Sequence, residues 1–109
     1  AIFEKQAQPD YKGTLAGGQA VMFEAKSTAT DRITQDRVTE DQAERLTRWA
    51  KLGGTAFVLC GFASGQVYKL PWKIWENMQE HFGVKYITEE AAAPYRCRLT
   101  ARGEPLFLE

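Results

Sequence analysis

The run from Thr55 to Phe62 is short, continuous, and made largely of apolar and β-branched residues. Gly53-Gly54 precedes the run and the turn residues Ala63-Ser64-Gly65 follow it. This pattern is typical of a strand that is covered on both faces, which requires a layer of protein on each side of a sheet. Because 109 residues suffice for one core but not for separate substrate and cofactor domains, we predict a single layered domain over residues 1–109.

A second strand is predicted from Gln19 to Lys26, where apolar and other residues alternate with a period of two. One face carries Val21, Phe23 and Ala25, and the other carries Met22, Glu24 and Lys26. Upstream, Ile2 to Tyr11 followed by the glycines between Gly13 and Gly18 predicts the first arm and the turn of a hairpin. Glu24 and Lys26 are therefore expected to share one face of a hairpin strand.

The remaining segments alternate between helix and strand signals. Thr39-Glu40-Asp41-Gln42 has the pattern of a capping box and predicts a helix that ends at Gly53-Gly54. Ser27 to Asp36 is polar and without a period, which favours a loop or a mobile flap. Gln66 to Leu70 predicts a further strand. A helix is predicted from Pro71 to Phe82, because Pro71 suits its first turn and Gly83 stops it. The tail, Tyr86-Ile87 and then Tyr95 to Leu108, predicts one or two short strands. The order β-β-α-β-β-α predicts an α/β fold, a mixed sheet flanked by helices.

Two acidic residues and a lysine suit the hydrolysis of a phosphodiester. Asp10 and Glu24 would place carboxylates on neighbouring strands, where they form an open oxygen site of the kind that Mg²⁺ prefers. Lys26 projects from the same face as Glu24 and can contact a phosphate or the attacking water. We expect Asp10 and Glu24 to face solvent. An E-x-K triplet alone is also compatible with a surface salt bridge, so its meaning depends on the surrounding elements.

The sequence resembles the PD-(D/E)XK nuclease superfamily, and more closely the RecU-type Holliday junction resolvases, also known as penicillin-binding-protein-related factor A. The sharpest match is Phe23 to Thr28, which resembles the family segment F-E-A-K-E-T. Gln8 to Gly13 resembles the acidic strand and glycine turn of the family, and Asp41 to Leu46 resembles its H-Q-I-E-H-L helix. Gly53 to Val58 and Tyr68 to Pro71 resemble the G-G-I-C-F strand and the Y-Y-L-L-P strand end.

The resemblance implies a restriction-endonuclease-like core and an endonuclease that nicks four-way DNA junctions as a homodimer. It implies that Asp10 and Glu24 bind Mg²⁺, with Mn²⁺ as a substitute, that Lys26 assists the water, and that Gln42 supports the site from the helix. Family members carry a helix with a glutamate and a protruding stalk before the strand where this sequence starts. We therefore expect both to be absent here, which leaves the DNA structure that is cleaved undecided.

Composition limits these expectations without overturning them. Fourteen basic and fourteen acidic residues give a net charge of zero, so the overall basic field typical of a DNA-binding protein is missing. The cations are locally enriched in three segments: Lys26 to Arg37, Arg45 to Lys51, Arg96 to Arg102. The two cysteines lack the spacing of a metal knuckle, and no apolar run reaches membrane-spanning length, which favours the cytoplasm and no membrane contact.

Two other functions fit the same residues. The first is a related phage or repair nuclease that acts on flaps, single strands or duplex DNA, since its core motif would look the same. The second is a noncatalytic DNA-binding module that has kept the fold. Cleavage assays on different DNA structures test the first alternative, and metal binding tests the second, because a module does not need a metal site.

Overall fold

The computed structural model of the chain describes the backbone of residues 3–5 and 11–14 and all atoms of residues 20–108. The strands are β1 (Phe3–Lys5), β2 (Tyr11–Thr14), β3 (Ala20–Ser27), β4 (Arg32–Thr34), β5 (Thr55–Gly61), β6 (Val67–Pro71) and β7 (Tyr86–Thr88). The helices are α1 (Glu40–Lys51), α2 (Trp72–Glu76), α3 (Met78–Phe82) and α4 (Glu89–Ala92), with 3-10 turns at Gln35–Arg37 and Ala93–Tyr95.

Five of the strands form one mixed sheet in the order β1-β2-β3-β5-β6. Neighbouring strands are antiparallel except β3 and β5, which are parallel. A parallel pair needs a crossover connection, and here β4, the 3-10 turn Gln35–Arg37 and α1 form it. The register of this central pair places Glu24 opposite Val58 and Lys26 opposite Cys60.

The two faces of the sheet are covered by different parts of the chain. Side chains alternate along β3 and β5, so successive residues enter different cores. The helix-side core takes residues from both strands and from all four helices, among them Val58, Cys60, Leu46, Trp75, Met78 and Ala92. The tail-side core consists of Val21, Phe23, Phe57, Leu59 and Cys97, with Ala25, Val67, Phe107 and Leu108 packed against it. The prediction that the Thr55 to Phe62 strand is covered on both faces is confirmed.

An aromatic group organises the tail-side core. The rings of Phe23 and Phe57 stack with centroids 4.9 Å apart, and Phe107 meets Phe23 edge-on at 5.2 Å. Such ring contacts add to the free energy of burying apolar area. No helix of the described residues enters this core. The predicted mixed sheet is confirmed, but its helices lie on one face and the C-terminal segment covers the other.

The prediction that Ser27 to Asp36 is a loop or flap holds for residues 28–31 but is wrong for the rest of the segment. Arg32–Thr34 forms β4 and pairs antiparallel with β7, with Ile33 opposite Ile87. Both isoleucines are 0% exposed and belong to the helix-side core. Their burial holds this polar segment against the core. A single apolar residue among polar neighbours shows no period, and its partner is distant in the sequence.

Three further boundaries differ from the predictions. The helix predicted from Pro71 is two short helices separated by Asn77, whose side-chain amide donates to the Lys73 carbonyl. Tyr86-Ile87 is a strand as expected, but after it the described tail has a short helix and only isolated bridges, Tyr68 with Arg96 and Leu99 with Pro105. The hairpin exists as β2 and β3, yet Gly13 lies within β2 and not in the turn.

Candidate active site

Glu24 lies in the middle of β3 on the face that carries the helix-side core. Its cross-strand neighbour Val58 belongs to that core, and α1 packs over the same face through Leu46 and Ala43. As a result, Glu24 is 0% exposed. The expectation that this carboxylate faces solvent is wrong, because the alternating pattern identifies its face but not the helix that covers it.

Lys26 lies two residues further along the same face, as predicted. Its Nζ is 3.5 Å from Glu24 Oε1, and its side chain is 14% exposed. A carboxylate in the interior is costly unless a cation or hydrogen-bond donors compensate for the lost water. The prediction that Glu24 and Lys26 share a face is confirmed, and the structure shows in addition that they form an ion pair with the lysine on the more accessible side.

Gln42 is the third residue of α1 and forms the predicted capping box with Thr39. The Thr39 N–H donates to Gln42 Oε1 over 2.9 Å, and the Gln42 N–H donates to Thr39 Oγ1 over 3.3 Å. Gln42 is 4% exposed, on the helix that covers the Glu24 face of the sheet. Its capping role is confirmed, and a supporting role in the site stays a prediction.

Asp10 lies outside the described residues, so the structure does not test its predicted role. The residue that follows it in the sequence, Tyr11, begins β2 and pairs with Phe23. Phe23 in turn immediately precedes Glu24. The described part of β2 thus runs beside Ala20 to Phe23 of β3 and ends, at Tyr11, next to the level of Glu24.

The donor set of the site suits a hard divalent cation. Glu24 offers carboxylate oxygen, and Mg²⁺ commonly takes only one or two protein carboxylates and completes its shell with water and phosphate oxygens. Within the described residues, no group of three or more His, Cys, Asp or Glu side chains is close enough to hold a metal. A cation held by Glu24 would therefore need Asp10 or water for the remaining positions.

Arg37 was missed as an individual residue by sequence reasoning, although it ends a segment noted for its basic charge. Its Nη2 donates to the Ser27 carbonyl over 3.1 Å, directly after Lys26 in the sequence. Ser27 and Arg37 are both exposed. The contact joins the end of β3 to the turn before α1, and no periodic signal in the sequence indicates it.

Two titratable groups of the helix-side core, Cys60 and Tyr68, have raised pKa values. Burial raises the pKa of the Cys60 thiol to about 12, so this cysteine, opposite Lys26 in the sheet, is not a nucleophile. Burial, followed by its bond to Glu89, raises the pKa of Tyr68 to about 12. The Tyr68 hydroxyl donates to Glu89 Oε2 over 2.7 Å, and hydrogen bonds from Ser64 and Tyr68 lower the pKa of Glu89.

We expect Tyr68→Phe to remove an alkaline sensitivity of the fold. A tyrosine with a raised pKa contributes stability that is complete below its ordinary pKa of 10.0 and is lost as the pH rises through about 12. Wild type should therefore exceed Tyr68→Phe in free energy of unfolding at neutral pH, and the difference should shrink above pH 10. Urea unfolding at several pH values measures it. Tyr95→Phe leaves the Tyr68–Glu89 bond intact and serves as control; a pH-independent difference for Tyr68→Phe would contradict the prediction.

Comparison with solved structures identifies the fold. The fold is similar to that of Hjc from Archaeoglobus fulgidus, described as a Holliday junction resolvase from an archaeal hyperthermophile, at a TM-score of 0.60 and 19% identity. The match covers 85% of this chain and 74% of the Hjc chain. The likeness shows that the two proteins share a fold, a mixed sheet flanked by helices.

The family follows from the sequence comparison. The RecU family model, described as recombination protein U, matches residues 1–106, and the chain belongs to this family. Proteins of the family are Holliday junction resolvases that act in recombination and depend on a divalent metal ion. No curated protein matches the sequence. In the part of the chain that is described, no helix has the length and apolar character needed to cross a membrane.

Proposed function

We propose that this chain is a single nuclease domain that hydrolyses DNA phosphodiester bonds at four-way junctions with Mg²⁺ as its metal. The observation that carries the proposal is the Glu24–Lys26 pair, 3.5 Å apart on the strand that gives the sharpest family match. Family membership supports the junction as substrate, and the fold supports the nuclease chemistry. Homodimer formation and a cytoplasmic location are further parts of the proposal that rest on the family alone.

In the proposed mechanism, Asp10 and Glu24 supply the carboxylates that bind the metal. Mg²⁺, when bound, would polarise the phosphate and lower the pKa of a water molecule. Glu24 is well suited to hold a cation because helix-side residues exclude bulk water from its surroundings, which strengthens electrostatic interactions. The more exposed Lys26 ammonium, beside Glu24, would contact the phosphate or orient the water, and Gln42 would support the arrangement from α1.

The experiment that tests the function is cleavage of a labelled four-way junction beside a linear duplex of equal length. Wild type, Asp10→Asn and Glu24→Gln are incubated with Mg²⁺ and then with EDTA. Symmetric nicks that are confined to the junction, need Mg²⁺ and are absent in both variants are expected. Mn²⁺ should support cleavage in place of Mg²⁺.

The same experiment separates the two alternatives. Equal cleavage of the duplex would favour a repair or phage nuclease with a broader substrate range. Junction binding without cleavage or metal binding would favour a noncatalytic DNA-binding module. Retained cleavage in both Asp10→Asn and Glu24→Gln would contradict the assignment of the site.

A further inference from the structure

The carbonyl group of Ser27 faces the edge of β3 that is turned away from β5. The N–H of the same peptide unit, which belongs to Thr28, donates to Gly61 at the end of β5 over 3.0 Å. Because the N–H and C=O of one trans peptide point in opposite directions, the Ser27 carbonyl points the other way. Arg37 Nη2 meets it there, at 3.1 Å.

This edge of β3 is also the edge along which β2 pairs. The sheet order is β2-β3-β5, so a group on the side of β3 opposite β5 lies on the β2 side. Arg37 is thus held on the β2 side of β3 at Ser27, one residue beyond Lys26 and four residues along the strand from Phe23, which pairs with Tyr11. Its guanidinium is therefore fixed to the end of the strand that carries Glu24 and Lys26.

The charge of Arg37 is available for a further ligand. The residue is exposed, and among the described residues it forms no ion pair. Arg32, in the same segment, is different: its Nε is 3.2 Å from Asp31 Oδ1, and its guanidinium lies 4.2 Å from the centre of the Tyr86 ring. A guanidinium has five N–H donors in a planar fork that matches phosphate, and the bond to Ser27 uses one of those of Arg37.

We propose that Arg37 is a positioning residue that binds a DNA phosphate next to the cleaved phosphodiester. The proposal rests on the proposed nuclease function and adds to it a contact outside the predicted motif. The Ser27 carbonyl orients the guanidinium, and the phosphate takes its remaining donors. Since Ser27 follows Lys26 directly, a phosphate held by Arg37 would set the position of the DNA strand relative to the Glu24–Lys26 pair.

The test is the salt dependence of DNA binding, which does not require cleavage. Affinity for a labelled four-way junction is measured in EDTA over a series of salt concentrations for wild type and Arg37→Gln. Glutamine keeps an amide donor for the Ser27 carbonyl but has no charge. We expect about a tenfold loss of affinity at low salt. The negative slope of log affinity against log salt should become less steep by about one.

Two control variants separate charge from structure. Arg32→Gln removes a cation that is already paired, so its slope should equal that of wild type. Arg37→Lys keeps the charge and should restore the slope of wild type even where the affinity stays lower. Three results would each overturn the proposal. The first is an unchanged slope in Arg37→Gln, and the second is a slope that decreases as much in Arg32→Gln as in Arg37→Gln. The third is a slope that decreases as much in Arg37→Lys as in Arg37→Gln.

The outcomes also distinguish this proposal from the proposed function. Wild type that neither binds nor cleaves the junction would overturn both. Wild type that binds and cleaves, together with an unchanged slope in Arg37→Gln, would overturn the role of Arg37 alone. Cleavage kinetics give a second readout: a positioning role in binding predicts a larger effect of Arg37→Gln on KM than on kcat.

Discussion

Glu24→Gln is expected to lower the rate of Mg²⁺-dependent junction cleavage on the order of a thousandfold. A metal held by carboxylates contributes several kcal/mol of transition-state stabilisation, and about 1.4 kcal/mol corresponds to a tenfold change in rate. Glutamine has nearly the same shape as glutamate but a weaker oxygen ligand for a hard cation. Single-turnover cleavage of the labelled junction measures the effect.

The fold should tolerate this substitution. Loss of one partner of a buried ion pair is costly when it leaves a charge uncompensated in the interior, but here the substitution removes the buried charge itself, because Glu24 is 0% exposed. Lys26, with 14% of its side chain exposed, can extend its ammonium into water when the carboxylate is gone. Urea unfolding should therefore show no large loss of stability.

Glu44→Gln, on the exposed face of α1, is the matched control and should retain full activity. Activity of Glu24→Gln within tenfold of wild type would exclude Glu24 from the site.

Local signals in the sequence predicted part of the site correctly. The two-residue alternation in β3 placed Glu24 and Lys26 on one face, because the strand period is a property of the backbone alone. The capping box at Thr39 and Gln42 was also predicted, since its two hydrogen bonds join residues three positions apart. Features of this kind depend on near neighbours in the chain, which a single sequence displays.

The burial of Glu24 could not be predicted in the same way. Its exposure depends on α1 lying over the face of β3 that carries Glu24, and alternation does not show whether a face is covered. The pairing of Ile33 with Ile87 has the same cause. One buried side chain in a polar segment gives no period, and its partner lies beyond two other strands in the sequence.

Arg37 shows a third limit. Its bond to Ser27 spans ten residues and joins an arginine side chain to a backbone carbonyl, which any residue could offer. Neither the arginine nor the serine is unusual in its sequence context. Only the arrangement of the turn before α1 beside the end of β3 brings them together, so the sequence gives the local basic charge but not the contact.

Lys26→Met is expected to affect both activity and stability, unlike Glu24→Gln. Methionine keeps much of the apolar length of the lysine stem but removes the ammonium 3.5 Å from Glu24. Glu24 is fully buried and cannot turn to water, and removal of one partner of a buried ion pair typically destabilises a protein by roughly 3–5 kcal/mol. Because Lys26 is partly exposed, we expect roughly 2–4 kcal/mol here, measured by urea unfolding at neutral pH. Lys73→Met, on the exposed surface of α2, should change stability little.

The double variant Lys26→Met with Glu24→Gln separates this electrostatic effect from the loss of lysine packing. If the destabilisation comes from the buried carboxylate, removing its charge should restore most of the lost stability, and the two substitutions should be strongly non-additive. Cleavage should stay low in the double variant, because neither the metal-binding carboxylate nor the ammonium is present. Additive effects on stability would show that the Glu24–Lys26 contact does not compensate the buried charge. In that case, the two residues would have to be treated as separate parts of the site.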